Sequence, residues 1–258
     1  MYDPFDILQR LDDNTVPILI GFGLAMVLQN IAMGTAILVT RREGWISIPL
    51  PCTYLWFAHD LGVVARFDIW FKVYHHWFLE LFWLGLLSAL LLELVFFWQA
   101  FKVGRKEYLP NGTQAQWIAL VVAGAIAVVV CWEYLETVFA DPIYQAVPSI
   151  TMFLLPVATT ALILRRRSVI GQVPLIYACF GAMVVLWWGV TAGYYGEPFR
   201  SWQYITSGVV ALVMYIALTI AIARMRRAGT PVPNLPQIPA GSSADEACAD
   251  RVQRSAGR

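Results

Sequence analysis

Seven times the chain runs for about twenty residues or more almost without charge: 16–39, 46–66, 75–99, 115–138, 145–164, 173–194 and 203–224. Crossing the hydrocarbon layer of a bilayer takes roughly 20 apolar residues in a helix, so each run is long enough to span. The runs are continuous rather than alternating, and an open sheet edge finds no hydrogen-bond partners in lipid, so the expected elements are helices. The expected fold class is therefore all-α: a polytopic membrane protein, a seven-transmembrane-helix bundle over residues 1–227. From 228 to 258 Pro, Gly, Ser and charge replace the hydrophobes, and a disordered cytoplasmic tail is expected there. Composition agrees, at 59% hydrophobic and 14% charged residues, with a mean hydropathy of +0.62.

Charge placement gives an expected orientation. Arg41 and Arg42, then Lys102, Arg105 and Lys106, then Arg165 to Arg167, then Arg224, Arg226 and Arg227 fall on one side if seven spans alternate. The other side has Arg10, Arg66, Lys72 and Arg200. Cytoplasmic loops carry the excess of Lys and Arg, which places the C-terminus in the cytoplasm and the N-terminus outside. The opening MYDPFDILQRLDDN is acidic and lacks the basic start of a cleaved signal peptide, so the first run is expected to be retained. A net charge of +1, with basic residues in short clusters, offers no nucleic-acid surface. Cys52, Cys131, Cys179 and Cys248 show no paired spacing, so neither a disulfide framework nor a metal site is expected.

Carboxylates inside the runs are the residues that call for a function, because an ionised side chain at mid-bilayer costs at least a few kcal/mol and by default faces a cavity or a partner. There are five: Asp60, Glu80, Glu93, Glu133 and Glu136. With alternating spans, Asp60, Glu80, Glu133 and Glu136 share the outer half, while Glu93 lies nearer the cytoplasm and reads as structural. His76 and Glu80 are four apart, and Glu133 and Glu136 three apart, spacings that put each pair on one helix face. A carboxyl taken out of water and set beside another acid keeps its proton more readily, which makes a proton donor. Of the histidines, His76 is the expected participant. His75 lies beside a loop, and His59, about 100° from Asp60 on an ideal helix, is expected to point elsewhere. Asp60 also has a plain reading, as a buried group satisfied by a neighbouring Tyr or Trp.

Aromatic residues crowd the same level. Tyr194, Tyr195 and Trp202 are expected in an interfacial belt. Trp56 and Trp132, within a turn of Asp60 and Glu136, are expected to line a cavity in which ring faces stabilise a cation. Phe57, Trp83, Trp187 and Trp188 complete the expected substrate-binding set. Pro51, Pro148, Pro156 and Pro174 lie in or near spans and are expected to kink them.

The segment IGFGLAMVLQNIAMG…GWISIPLPCTYLWF, followed by five further runs, resembles the small seven-helix membrane terpene cyclases of fungal meroterpenoid and indole-diterpene pathways and their bacterial relatives. In that family a Pro-Leu-Cys-Cys-Asn segment closes in Trp-Glu; here stand Pro49, Leu50, Pro51, Cys52, Thr53 and then Trp56. Size and loop lengths extend the resemblance from about residue 17 to 227. The departures concern catalysis: the family's glutamate after tryptophan is Phe57 here, and 203–223 contain no acid to match its aspartate in the last helix. Asp60, one turn beyond Phe57, or the Glu80 and Glu133/Glu136 group, is expected to take the acid's role.

The expected activity is a cofactor-free, metal-free cyclisation. A carboxylic acid protonates an alkene or epoxide of a lipophilic prenylated substrate, aromatic walls guide the cation, and a second carboxylate or His76 removes a proton. Asp12 and Asp13 precede the first run without a partner motif for diphosphate ionisation. HWFLE at 76–80 and CWEYLET at 131–137 also look like elements of the emopamil-binding sterol double-bond isomerases, an alternative with the same proton chemistry. A proton-coupled transporter is the alternative from another class. The last run has no Lys for a retinal Schiff base, and three histidines, two of them adjacent, make a poor haem carrier.

Overall fold

In a computed structural model, which describes residues 2–145 and 148–229, the chain is helical throughout, with no strand among the described residues. The helices are α1 (Pro4–Asp13), α2 (Thr15–Glu43), α3 (Leu50–Ala65), α4 (Trp77–Gln99), α5 (Arg105–Tyr108), α6 (Gln114–Phe139), α7 (Pro148–Arg166), α8 (Pro174–Tyr194), α9 (Glu197–Arg200) and α10 (Trp202–Arg227). A π-helical stretch, Ala100–Gly104, joins α4 to α5 without a break, and a second, Ile69–Tyr74, follows α3. Each of the seven expected runs contains one long helix. Five are long and apolar enough to cross a membrane by themselves: Thr15–Glu43, Trp77–Tyr108, Gln114–Phe139, Pro174–Tyr194 and Trp202–Arg227. The chain is thus built as a multi-pass membrane protein. The number seven does not follow from length alone, since α3 has only 16 residues, fewer than the roughly 20 a span takes.

The outer faces explain the composition. Leu24, Val27, Ile31 and Leu38 of α2, Ile126 and Val130 of α6, and Val209, Val213, Ile216 and Ile220 of α10 are all exposed. Apolar surface of that extent is untenable in water and natural against lipid.

Helix contacts close a ring. α4 packs on α2, α2 on α8, α8 on α10, α10 on α7, α7 on α3 and α3 on α4, while α6 lies outside the ring against α3. With α4, α6 and α7 around it, α3 is buried over a wide arc that includes Trp56, Ala58, His59, Asp60, Gly62 and Val63. Helix starts follow local chemistry. Thr113 and Gln116 form a reciprocal capping box on α6, and Asp3 caps α1 through the Phe5 amide at 2.9 Å. Pro51, Pro148 and Pro174 sit in the first turns of α3, α7 and α8, where a missing N–H removes no helical bond. They begin helices rather than kink them, and Pro156 alone of the four stands inside one.

Both ends of the ring are tied. At one end the basic clusters meet: Arg166 donates to Glu107 from Nε and Nη2 at 2.6 Å each and from Nη2 to the Ile46 carbonyl at 2.9 Å. Arg165 reaches Glu107 at 2.9 Å, and Arg226 joins the end of α10 to Glu43 of α2 at 2.7 Å. At the other end lies α1, ten residues too short and too polar to form an apolar run. Its Ile7, Leu8 and Leu11 are buried in the common core. The Trp77 indole donates to Asp12 at 2.6 Å, and the Tyr2 hydroxyl donates to Asp141. Cys52, Cys131 and Cys179 are free thiols. The expected tail, from residue 230 onward and with it Cys248, lies outside the described residues.

Candidate functional site

The ring encloses a cavity of about 320 Å³, with lining residues from every ring helix. On α2 the lining runs from Ile18 to Met33 and on α4 from Phe78 to Glu93, a rise of about 22 Å along each helix. The space is therefore long and narrow. Its walls are Phe22, Phe78, Phe82, Trp56, Phe180 and Trp187, with Met26, Met33, Met152 and Met183 between them. The rings touch one another: Phe22 meets Trp187 edge-on with centroids 4.9 Å apart, and Trp56 lies 5.3 Å from Phe180.

Polar groups gather toward one end of this space. Asp60 and His59 of α3 and Glu93 of α4 line it and are 4%, 5% and 1% exposed. His59 Nδ1 stands 2.6 Å from Asp60 Oδ1, and the Glu93 carboxyl lies beside Asp60 in the same cavity wall. Two neighbouring carboxyl groups can hydrogen-bond to each other only when one keeps its proton, since an ionised carboxylate has acceptors alone. The array Glu93–Asp60–His59 is therefore of a kind suited to hold a shared proton. Glu93 Oε2 and His59 Nε2 have no hydrogen-bond partner, an unusual condition for buried polar atoms. Two contacts fix the depth: Met26 packs at the face of Gly85, and Gln99 donates to the Ile37 carbonyl at 2.9 Å. With that register Glu93 comes level with Met33, and the Gln29 carboxamide lies about one turn nearer α1.

The cavity has a mouth on the bundle's side. Leu19, Gly23 and Leu81 line it yet are exposed, so the seam between α2 and α4 opens toward lipid. A Cβ on Gly23 would meet nothing within 4 Å, whereas one on Gly85 would come to 2.6 Å from Met26 Cε. The helices touch at Gly85 and part at Gly23.

Of the four acids expected to share the outer half, Asp60 alone lines the cavity; Asp60, Glu80, Glu133 and Glu136 do not converge on one chamber. α4 begins at Trp77, so His76 is its N-cap and not on a shared face with Glu80. His76 Nδ1 accepts from the Phe78 amide at 3.3 Å and Nε2 lies 3.2 Å from Asp12. Glu80 pairs with His75 at 3.2 Å. Glu133 turns to Arg66, with contacts of 2.5 and 3.2 Å. Glu136 is buried beside α3, both oxygens unpartnered. Near it the Tyr144 hydroxyl is buried and unpartnered too; loss of water pushes that phenol above its ordinary range, opposed by Arg66.

The aromatic set divides likewise. Trp56 and Trp187 line the cavity. Phe57 faces away, edge-on to Phe97 at 5.1 Å. Trp83 packs on Phe67 and Phe71 and donates to the Val64 carbonyl at 3.2 Å. Trp132 backs the His59 ring at 5.5 Å. Trp188 stacks on Tyr204 and donates to its carbonyl at 2.9 Å. Tyr195, expected in a belt, is 1% exposed and donates to Gln145, while Trp202 at 72% exposure is placed as a belt residue would be.

His59 and Glu93, which complete the array, carry no signal in the local sequence that marks them as partners of Asp60. A 100° offset separates two side chains only when one of them faces outward, and the buried arc of α3 is wide enough for both. Glu93 was separated from Asp60 by assumed depth, and α4 entering the ring beside Met33 brings it to the same level. Comparison of the chain with protein-family models, with curated proteins and with solved structures returns no match.

Proposed function

We propose that the protein is a membrane-embedded proton-transfer enzyme, a cyclase or isomerase acting on a lipophilic prenyl-type chain that enters from the bilayer between α2 and α4. The observation that carries this is the Glu93–Asp60–His59 array facing a long aromatic cavity. Asp60 is the donor to an alkene or epoxide; Glu93, sharing its proton, supplies the next one; His59 orients the carboxyl. Trp56, Phe180 and Trp187 hold the chain and present ring faces to the cation that forms. The acid role falls on Asp60, one of the alternatives left open by the resemblance to the membrane terpene cyclases where Phe57 stands in place of that family's glutamate, because Asp60 lines the cavity and Glu80, Glu133 and Glu136 do not. In the same reading α3 and α7 complete seven crossings, with the Arg-rich end cytoplasmic and α1 outside, where it shields the cavity from water.

The chemistry gives a mass signature. In D2O a deuteron adds to one alkene carbon, the cation closes a ring or migrates, and a proton leaves to the Asp60 carboxylate, so the product is one mass unit heavier than its substrate. Membranes containing the protein are incubated in D2O with prenylated phenols and indoles, as alkenes and as epoxides. The alkenes are expected to give a deuterated isomer, and the epoxides an isomer of unchanged mass because their deuteron sits on an exchangeable hydroxyl; both are lost in Asp60→Asn and Glu93→Gln. A sterol-type double-bond isomerase gives the same signature without a new ring. Probe accumulation in vesicles driven by a proton gradient, with no isomer from any probe, would replace the enzyme by a carrier, for which a buried acid pair is equally apt.

A further inference from the structure

For a deuteron from water to reach the product the array has to exchange with the aqueous phase, yet the cavity beside it is apolar and its mouth faces lipid. We propose that Glu136, Tyr144 and His59 form a relay along the α3–α6 seam that connects Asp60 with the aqueous surface at the α1 end. The proposal rests on the reading of Asp60 and Glu93 as the proton-transfer centre.

The seam is built around Gly62, three residues beyond His59 and thus on the same face of α3. The point where a Gly62 Cβ would stand lies 2.9 Å from Glu133 Oε1, 3.1 Å from the Tyr144 hydroxyl and 3.3 Å from Arg66 Nη1. A side chain at this position would crowd those three groups. The His59 ring bridges the two regions: Nδ1 is on Asp60, and its other side faces Tyr144 and Trp132, with ring centroids 5.8 and 5.5 Å away. Trp132 and Glu136, four apart, share the inner face of α6.

Unpartnered buried atoms concentrate along this line: His59 Nε2, Trp132 Nε1, the Tyr144 hydroxyl and both Glu136 oxygens. Glu136 is 6% and Tyr144 2% exposed. A buried carboxyl, phenol and imidazole left open toward one another form the kind of polar site that recruits bridging water. The outer end reaches solvent through Arg66 and Glu133, whose side chains are 30% and 41% exposed; these two and Asp141 are the charged groups acting on Glu136. Tyr144 is held with φ at +51°, a left-handed conformation that a bulky residue keeps only when its surroundings impose it.

The transfer balances. Glu136 gives its proton to the Tyr144 oxygen as that hydroxyl releases its own, directly or over one water, to His59 Nε2. His59 then releases the Nδ1 proton to the Asp60 carboxylate, and Glu136 recovers a proton from water.

The test uses the full-length protein in lipid nanodiscs and needs no substrate. After a jump into D2O, the infrared carbonyl stretch of the protonated acid pair moves as its proton exchanges, and its loss in Asp60→Asn identifies the band. Tyr144→Phe and Glu136→Gln, which preserve shape, are each expected to slow that exchange roughly a hundredfold, the scale of removing one positioned proton-transfer group. Glu136→Asp is expected to restore it. Equal exchange rates in wild type and both variants overturn the relay, as does the absence of a protonated-carboxyl band in the wild type. Failure of the enzymatic reading looks different: no deuterated product forms while the exchange rates still separate.

Discussion

Filling the lateral mouth should separate stability from function. Gly23 lies in the interior of α2, lines the cavity, and has open space where its Cβ would be. Gly34 is also in the interior of α2 with nothing within 4 Å, and it does not line the cavity, so it serves as the matched control. Glycine in a helix interior is about 1 kcal/mol less favourable than alanine. Gly23→Ala and Gly34→Ala should therefore each stabilise by about that amount, which for a chain of this size raises the melting temperature by roughly 2–4 °C. Gly23→Trp keeps part of this gain while laying an indole, a side chain of about 200 Å² of buriable surface, across the gap between Leu19 and Leu81. The assay is thermal unfolding in detergent with and without farnesol as an apolar chain probe. A ligand at a hundred times its Kd stabilises by about 2.7 kcal/mol, here a shift of about 5–10 °C. That shift should persist in Gly34→Trp and vanish in Gly23→Trp. A Gly23→Trp protein that keeps the full farnesol shift, and full turnover once a substrate is in hand, would show that the chain does not enter between α2 and α4.

Three further outcomes follow from the same geometry. Arg166, fully buried with Glu107, should be intolerant of single replacement. Arg166→Met removes the buried partner of Glu107 and leaves its carboxylate only the half-exposed Arg165, a loss approaching the about 3–5 kcal/mol of a broken buried pair, read as loss of the monodisperse peak in detergent size exclusion, and Arg166→Met with Glu107→Leu should recover part of it. Trp56→Ala should alter turnover and product distribution, whereas Phe57→Ala, one residue along but facing Phe97, should leave both as in wild type when products are compared by chromatography and mass. Glu80→Gln should change neither turnover nor melting temperature measurably, because a partly exposed pair with His75 is worth well under about 1 kcal/mol; a large loss of product would place Glu80 back in the chemistry.

The helical class and the membrane setting were legible because they follow from a one-dimensional quantity, the length of uncharged sequence measured against a layer of fixed thickness. The gathering of Arg42, Arg105, Arg166 and Arg226 toward one end followed equally simply, from the parity of successive crossings. Asp60 was legible for the same kind of reason: an acid deep in an apolar run must have a purpose. Its partners were not. His76 and Glu80 fit a helical spacing, but the helix starts after His76, and a boundary shift of one residue removes the shared face. The spacing of Glu133 and Glu136 is truly helical, yet Arg66, far away in sequence, draws Glu133 off to one side. α1 escaped notice because ten residues with three buried side chains are too short and too polar to register as an apolar run.

By itself, then, the chain's order of residues settled what kind of solvent it lives in and which residue there is too costly to be idle, since solvation acts on each side chain one at a time. Which acid meets which base was decided by the closing of the helix ring: rotation and depth of α4 against α2 and α3 carry Glu93 to Asp60 and turn Phe57 away, and those depend on packing among segments that local sequence does not encode.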